Sequence, residues 1–119
     1  MDPVKRIVLR LQLRKTEGTI VHHNALLAKA VKDTKMVSGY AICQNQACWH
    51  CWVEDSDGKK LDVTSGILSL PFEYASELPE GYKEMEHDQI IENKRLYDLY
   101  VNDPKRFWKE SPKTVREFK

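Results

Sequence analysis

His50 and Asp62 are the residues of this chain whose types and spacing best suit acid–base work. An aspartate accepting a hydrogen bond from one imidazole nitrogen fixes the tautomer and stabilises the imidazolium form, so the second nitrogen can serve as a base. Cys48 stands two positions before His50 and offers a thiol, whose thiolate is a nucleophile. On an extended strand alternate side chains share a face, which places Cys48, His50, Trp52 and Glu54 together. The same groups admit a second chemistry, because imidazole and thiolate are the ligands zinc prefers. His22, His23, His50 and Cys48 form the candidate set. Against a zinc knuckle, strand alternation turns the sulfurs of Cys48 and Cys51 to opposite faces, and no second cysteine pair exists. Asp55, Asp57 and Asp62 lack the spacing of an EF-hand loop. The expectation is therefore no metal and no cofactor, with zinc through those four residues as the alternative.

These residues need strands to hold them. Cys48 to Glu54 reads as one strand, Asp55-Ser56-Asp57-Gly58 as a hairpin turn whose Asp-Gly supplies positive φ, and Lys60 to Thr64 as the returning strand. That hairpin sets Asp62 beside His50. Lys35 to Ile42 reads as a preceding strand, with Gly39 permitting a bulge or a close backbone approach. Asp2-Pro3 is a helix start, followed by Val4, Ile7, Val8 and Leu11 at helical spacing. A rival strand pattern runs through Ile7, Leu9, Leu11 and Leu13. Thr19 to His23 reads as an exposed connection, with Asn24 as N-cap of a helix from Ala25 to Asp33 that buries Leu26, Leu27, Ala30 and Val31. Beyond a loop containing Pro71 and Pro79, a helix from Asp88 to Asn102 buries Ile90, Ile91, Leu96, Leu99 and Tyr100. Asp103-Pro104 opens a last helical turn with Phe107 and Trp108, after which the charged tail frays.

The arrangement resembles the transglutaminase-like branch of the papain-type superfamily. The residues that carry the resemblance are His50-x-Trp52-Val53-Glu54, Leu61-Asp62-Val63-Thr64, Gly39-Tyr40-Ala41 and the helix opening Asn24-Ala25-Leu26-Leu27. The resemblance implies that His50 is the general base and Asp62 its orienting partner. It also implies that Trp52 lines a cleft, with His22, His23, Asn24 and Tyr40 around it. The family's nucleophilic cysteine belongs at the start of the helix, where this chain has Val21, or His22 if the register slips by one. Three functions follow as expectations. The first is a non-catalytic derivative of the superfamily, acting as a binding or accessory module. The second is a small cysteine-dependent hydrolase or acyltransferase using His50, Asp62 and Cys48. The third is a structural component of a larger assembly, viral or otherwise, docking through the Pro71–Tyr82 loop or the Phe107/Trp108 tail.

Composition sets the wider bounds. A chain of 119 residues with 41% hydrophobic and 31% charged residues reads as one globular domain. The elements above, with the resemblance, imply an α+β fold, helices packed on one face of a small antiparallel sheet in a reduced transglutaminase/papain-like arrangement. No apolar run reaches the length of a membrane span. Arg6, Arg10, Arg14 and Lys15 interrupt residues 1–20 too often for a signal peptide. The three cysteines lie close together rather than closing loops, so they read as reduced thiols in cytoplasm, or in host cytoplasm or a virion. Residues 1–40 carry eight Lys/Arg against three Asp/Glu, residues 41–103 carry five against thirteen, and residues 104–119 six against two. Basic termini around an acidic middle permit nucleic-acid contact. With a pI near 7.7 and no aromatic residues interleaved in the N-terminal basic run, solvated helix faces that attract the acidic middle are the stronger reading of these charges, and a protein partner is expected rather than a nucleic acid.

Overall fold

A computed structural model describes residues 2–43, 45–68 and 73–119, with the side chains of 43 and 66–68 excepted. In chain order the elements are α1 (Pro3–Leu13), α2 (Ile20–Ala30), β1 (Thr34–Cys43), β2 (Gln46–Asp55) and β3 (Lys60–Leu61). They continue as α3 (Val63–Leu68), β4 (Glu73–Ala75), β5 (Glu84–Met85), α4 (Asp88–Asn102), α5 (Pro104–Glu110) and α6 (Lys113–Arg116). The fold is α+β, with an open five-stranded sheet in the order β3-β2-β1-β4 and β5 added parallel to β2.

Asp2 starts α1 by accepting the Val4 N–H at 2.7 Å, with proline following at the first helical position. Burial decides between its two sequence patterns. Ile7, Val8 and Leu11 are buried, whereas Leu9 and Leu13 are 44% and 73% exposed, as a helix requires and a strand would not. The second helix starts earlier than expected. Thr19 caps it, and His22 takes the position usually held by glutamate or glutamine in a capping box, its Nδ1 accepting the Thr19 N–H at 3.0 Å. Asn24 is consequently not an N-cap but an interior residue of α2, fully buried.

The β1–β2 hairpin is the longest pairing, running from Thr34↔Asp55 to Cys43↔Gln46. The positive φ of Asn45 fits the reversal between these strands. One face of the hairpin carries Met36, Cys51 and Val53 against the helices. There Val53 joins Ile7, Leu11, Leu27 and Val63 in one core cluster. Cys51 and Met36 join Val21, Ala25, Leu96 and Phe107 in another. The opposite face carries Cys48, His50 and Trp52, with Gly39 paired across from His50. A Cβ on Gly39 would lie 2.4 Å from the Ala75 carbonyl oxygen and 2.6 Å from the Trp52 ring, so the close approach expected there is real and only glycine fits.

Three further expectations are corrected. The returning strand is only Lys60–Leu61, because Val63 and Thr64 already belong to α3. Ile91 is 55% exposed, since the buried stripe of α4 runs through Ile90 and Leu96. The C-terminal tail is held rather than frayed. Val115 is buried, the Phe118 ring lies under the Arg10 and Arg14 guanidinium groups, and the Thr114 hydroxyl accepts the Glu17 N–H at 2.9 Å. Of the two proposed docking segments, the loop begins at residues outside those described, Pro71 among them, and in the tail Phe107 is buried in the core with Trp108 packed against it rather than exposed. No helix among the described residues is long and apolar enough to cross a membrane.

Candidate functional site

The outer edge of β2 is paired twice and open between. β5 pairs with Ala47 and Cys48, and β3 with Val53 and Glu54. Among the described residues no strand pairs with Trp49 to Trp52 on that side. Helix α2 fills this gap with a side chain. Asn24 Nδ2 donates to the Cys51 carbonyl at 3.1 Å and to Asp62 Oδ1 at 3.2 Å, while Asn24 Oδ1 accepts the Val63 N–H at 3.1 Å. A buried asparagine thus stands in for a strand on the edge and ties α2 to the junction between β3 and α3.

That junction carries Asp62. Its Oδ2 lies 2.7 Å from His50 Nε2 and accepts the Tyr74 hydroxyl at 2.8 Å. Its Oδ1 accepts Asn24 Nδ2 and the Thr64 N–H, the latter at 3.0 Å. The Tyr74 hydrogen is directed at Asp62, so Ser65 donates to the Tyr74 oxygen at 3.1 Å. Burial alone would push the Asp62 carboxyl up. The hydrogen bond and charge of His50, then the Thr64 N–H and the Tyr74 hydroxyl, instead hold it below the usual carboxylate range. Asp62 is an ionised acceptor with its lone pairs engaged, and it fixes His50 Nε2 as the nitrogen that faces it. Any proton transfer by His50 therefore falls to Nδ1.

His50 opens on a cleft of about 300 Å³, formed where the starts of α2 and α4 approach the β2 edge. Cys48, Thr64, Ile20, Ile90 and Asn93 share its walls. The Cys48 thiol lies 3.6 Å from the Met85 sulfur, across the parallel β2–β5 pair. Thr64 Oγ1 is buried with no hydrogen-bond partner among the described residues. Cys51 is sealed on the helix face, and burial raises its thiol far beyond the ordinary range, so it is no nucleophile.

The structure brings together His50, Asp62 and Asn24, with Trp52 beside His50 at 6.2 Å between ring centres and Cys48 in the shared cleft. It does not bring in the others expected. Tyr40 pairs with Trp49 on the opposite, helix-facing side of the hairpin. His22 is buried against Phe107, 5.3 Å between ring centres, and burial lowers its pKa to about 4. His23 Nε2 lies 3.3 Å from the Glu17 carbonyl, and burial lowers its pKa too. The zinc set of His22, His23, His50 and Cys48 is therefore dispersed, and among the described residues no three His, Cys, Asp or Glu side chains converge on one point. At the helix start, Val21 is fully buried in the core, and the residue that shares the cleft with His50 is Ile20.

Tyr74 and Ser65 were missed by sequence reasoning. Tyr74 sits on a three-residue strand too short for any alternation to reveal, and only its pairing with Ala41 carries it to Asp62. The chain matches no protein-family model, no curated protein and no solved structure.

Proposed function

We propose that this chain is a non-catalytic binding module, a derivative of the transglutaminase-like design whose cleft receives a side chain of a protein partner. The observation that carries the reading is Ile20. Where an enzyme of that design needs a thiol at the positive end of a helix, the residue sharing the cleft with His50 is an aliphatic one. The orphan Thr64 hydroxyl supports a ligand. An unsatisfied buried hydroxyl costs on the order of 1–3 kcal/mol, which a bound polar group would recover.

One observation favours a second reading. Cys48 and His50 line the same cleft, so a hydrolase or acyltransferase with Cys48 as nucleophile has its two groups in one place. The deciding experiment is alkylation of native protein by iodoacetamide between pH 5 and 9, located by mass spectrometry. A binding module gives Cys48 labelling that rises only as an ordinary thiol ionises near ~8.5, unchanged in His50→Ala. Fast labelling of Cys48 at pH 6 that His50→Ala abolishes overturns the proposal in favour of the enzyme.

A further inference from the structure

We propose that a second cavity, between the start of α2 and the helices α4 and α5, binds a small uncharged carbonyl compound without hydrogen-bond donors, a ketone or an ester, on the Nε2–H of His22. This goes beyond the reading of the His50 cleft and does not rest on it. The cavity measures about 400 Å³, and Leu96, Leu99, Phe107 and Pro112 give it an apolar wall beside His22.

His22 itself points to a ligand. Only 6% of the residue is exposed, and its ring stacks on Phe107. Nδ1 accepts the Thr19 N–H at 3.0 Å, so in the neutral ring the hydrogen sits on Nε2. That N–H has no hydrogen-bond partner among the described residues. Phe107 lies against the face of the imidazole, out of line with a bond in the ring plane. With Nδ1 spent on the helix cap, Nε2 is the polar atom that this ring offers to the cavity it lines. A nearly buried donor left unanswered is costly, and a ligand acceptor removes the cost. Burial also keeps the ring uncharged down to about pH 4, so the group remains a neutral donor at physiological pH.

The other polar groups of the wall set the class of ligand. Thr19 Oγ1 accepts the Val21 N–H. Both oxygens of Glu92 hold Arg95, and Glu110 holds Arg106 at 3.2 Å. Two carboxylates are thus matched by two guanidinium groups, and the site has no charge to offer. An anion would meet Glu92 and Glu110, and a cation would meet the positive end of the His22 N–H. An uncharged ligand suffers neither. It needs an acceptor for Nε2–H, and with these side-chain acceptors engaged it gains nothing there from donors of its own. A carbonyl on an apolar body meets both conditions, its oxygen on Nε2 and its hydrocarbon on the leucines and Pro112.

The test follows the His22 Nε2–Hε2 signal of the whole chain by NMR as acetophenone is added. Ethylbenzene, N-methylbenzamide and benzoate form parallel arms, read from the Leu96 and Leu99 methyl groups. Acetophenone should shift the Nε2–Hε2 signal saturably. His22→Phe keeps a ring and loses the donor. It should bind acetophenone roughly fivefold to tenfold more weakly and ethylbenzene as before, since one net hydrogen bond is at stake. If His22→Phe loses its fold along with the helix cap, the Nε2–Hε2 signal of the unaltered chain decides alone. A signal that stays still or drifts without saturating overturns the proposal, as does equal weakening of acetophenone and ethylbenzene in the variant. Tighter binding of benzoate would make the site one for anions. Tighter binding of N-methylbenzamide would make it one for amides, such as a partner's backbone. Either result overturns the proposal too.

Discussion

His50 and His22 are buried to the same degree, 8% and 6% exposed, yet the protein uses them in opposite ways. His22 hydrogen-bonds to no carboxylate among the described residues. Its Nδ1 accepts a backbone N–H, its ring lies on Phe107, and burial, with His23 and Arg95 adding to it against Glu92, keeps the ring uncharged until about pH 4. His50 has a carboxylate whose other lone pairs are already satisfied. Burial of an imidazole is therefore not in itself the mark of a site. What separates the two is a direct hydrogen bond to a buried carboxylate, which His50 has in Asp62 and His22 lacks among the described residues.

The comparison breaks most readily at Asp62. Asp62→Ala leaves four donors without their acceptor and should cost about 3–5 kcal/mol in urea unfolding. His22→Gln, which keeps a capping-box side chain, should cost under ~1 kcal/mol at pH 7. Equal losses would show that both histidines are merely packed. Asn24→Ala comes next, at about 2–4 kcal/mol, because it removes three buried hydrogen bonds and leaves a void. The third prediction concerns pH. An unfolded His22 takes up a proton near its ordinary 6.5, whereas the folded one waits until about 4, so the unfolded chain binds more protons in that window. Stability should fall by about 1–3 kcal/mol as pH drops across it, and His22→Gln should flatten that slope. Asp62 acts lower still. Its folded pKa is depressed, so its contribution is complete above the ordinary carboxylate value and disappears as pH falls through the folded one. The smallest effect is Tyr74→Phe, which removes one of four donors and should cost about 1 kcal/mol. A larger loss would make Tyr74 a principal support of Asp62.

Local signals were legible where one interaction decides the outcome. The Asp2-Pro3 start, the shared face of Cys48, His50 and Trp52 and the close backbone approach at Gly39 all rest on contacts within or between adjacent segments. The pairing of His50 with Asp62 was legible too, although the reason given for it was incomplete. Asp62 does not lie in a returning strand but at the strand–helix junction, where the Thr64 N–H can reach it. Asn24 shows why such junctions escape a linear reading. Its type suits a cap, and only the gap between β3 and β5 on another element makes it more useful inside a helix. The helix start slipped for a related reason. His22 behaves as a capping-box acceptor, a role that glutamate or glutamine usually signals, so the true start at Ile20 left no familiar mark.

Filling a sheet edge with one asparagine also makes α2 a guard. If that helix lifts away, the backbone from Trp49 to Trp52 presents its unpaired groups to solvent beside two indole rings, on a strand already extended and twisted for pairing. Such an edge accepts a strand from any other molecule that offers one. The first step of this protein toward strand-mediated self-association would thus be the undocking of a helix rather than the loss of its sheet, and Asn24 is the side chain that holds that helix in place.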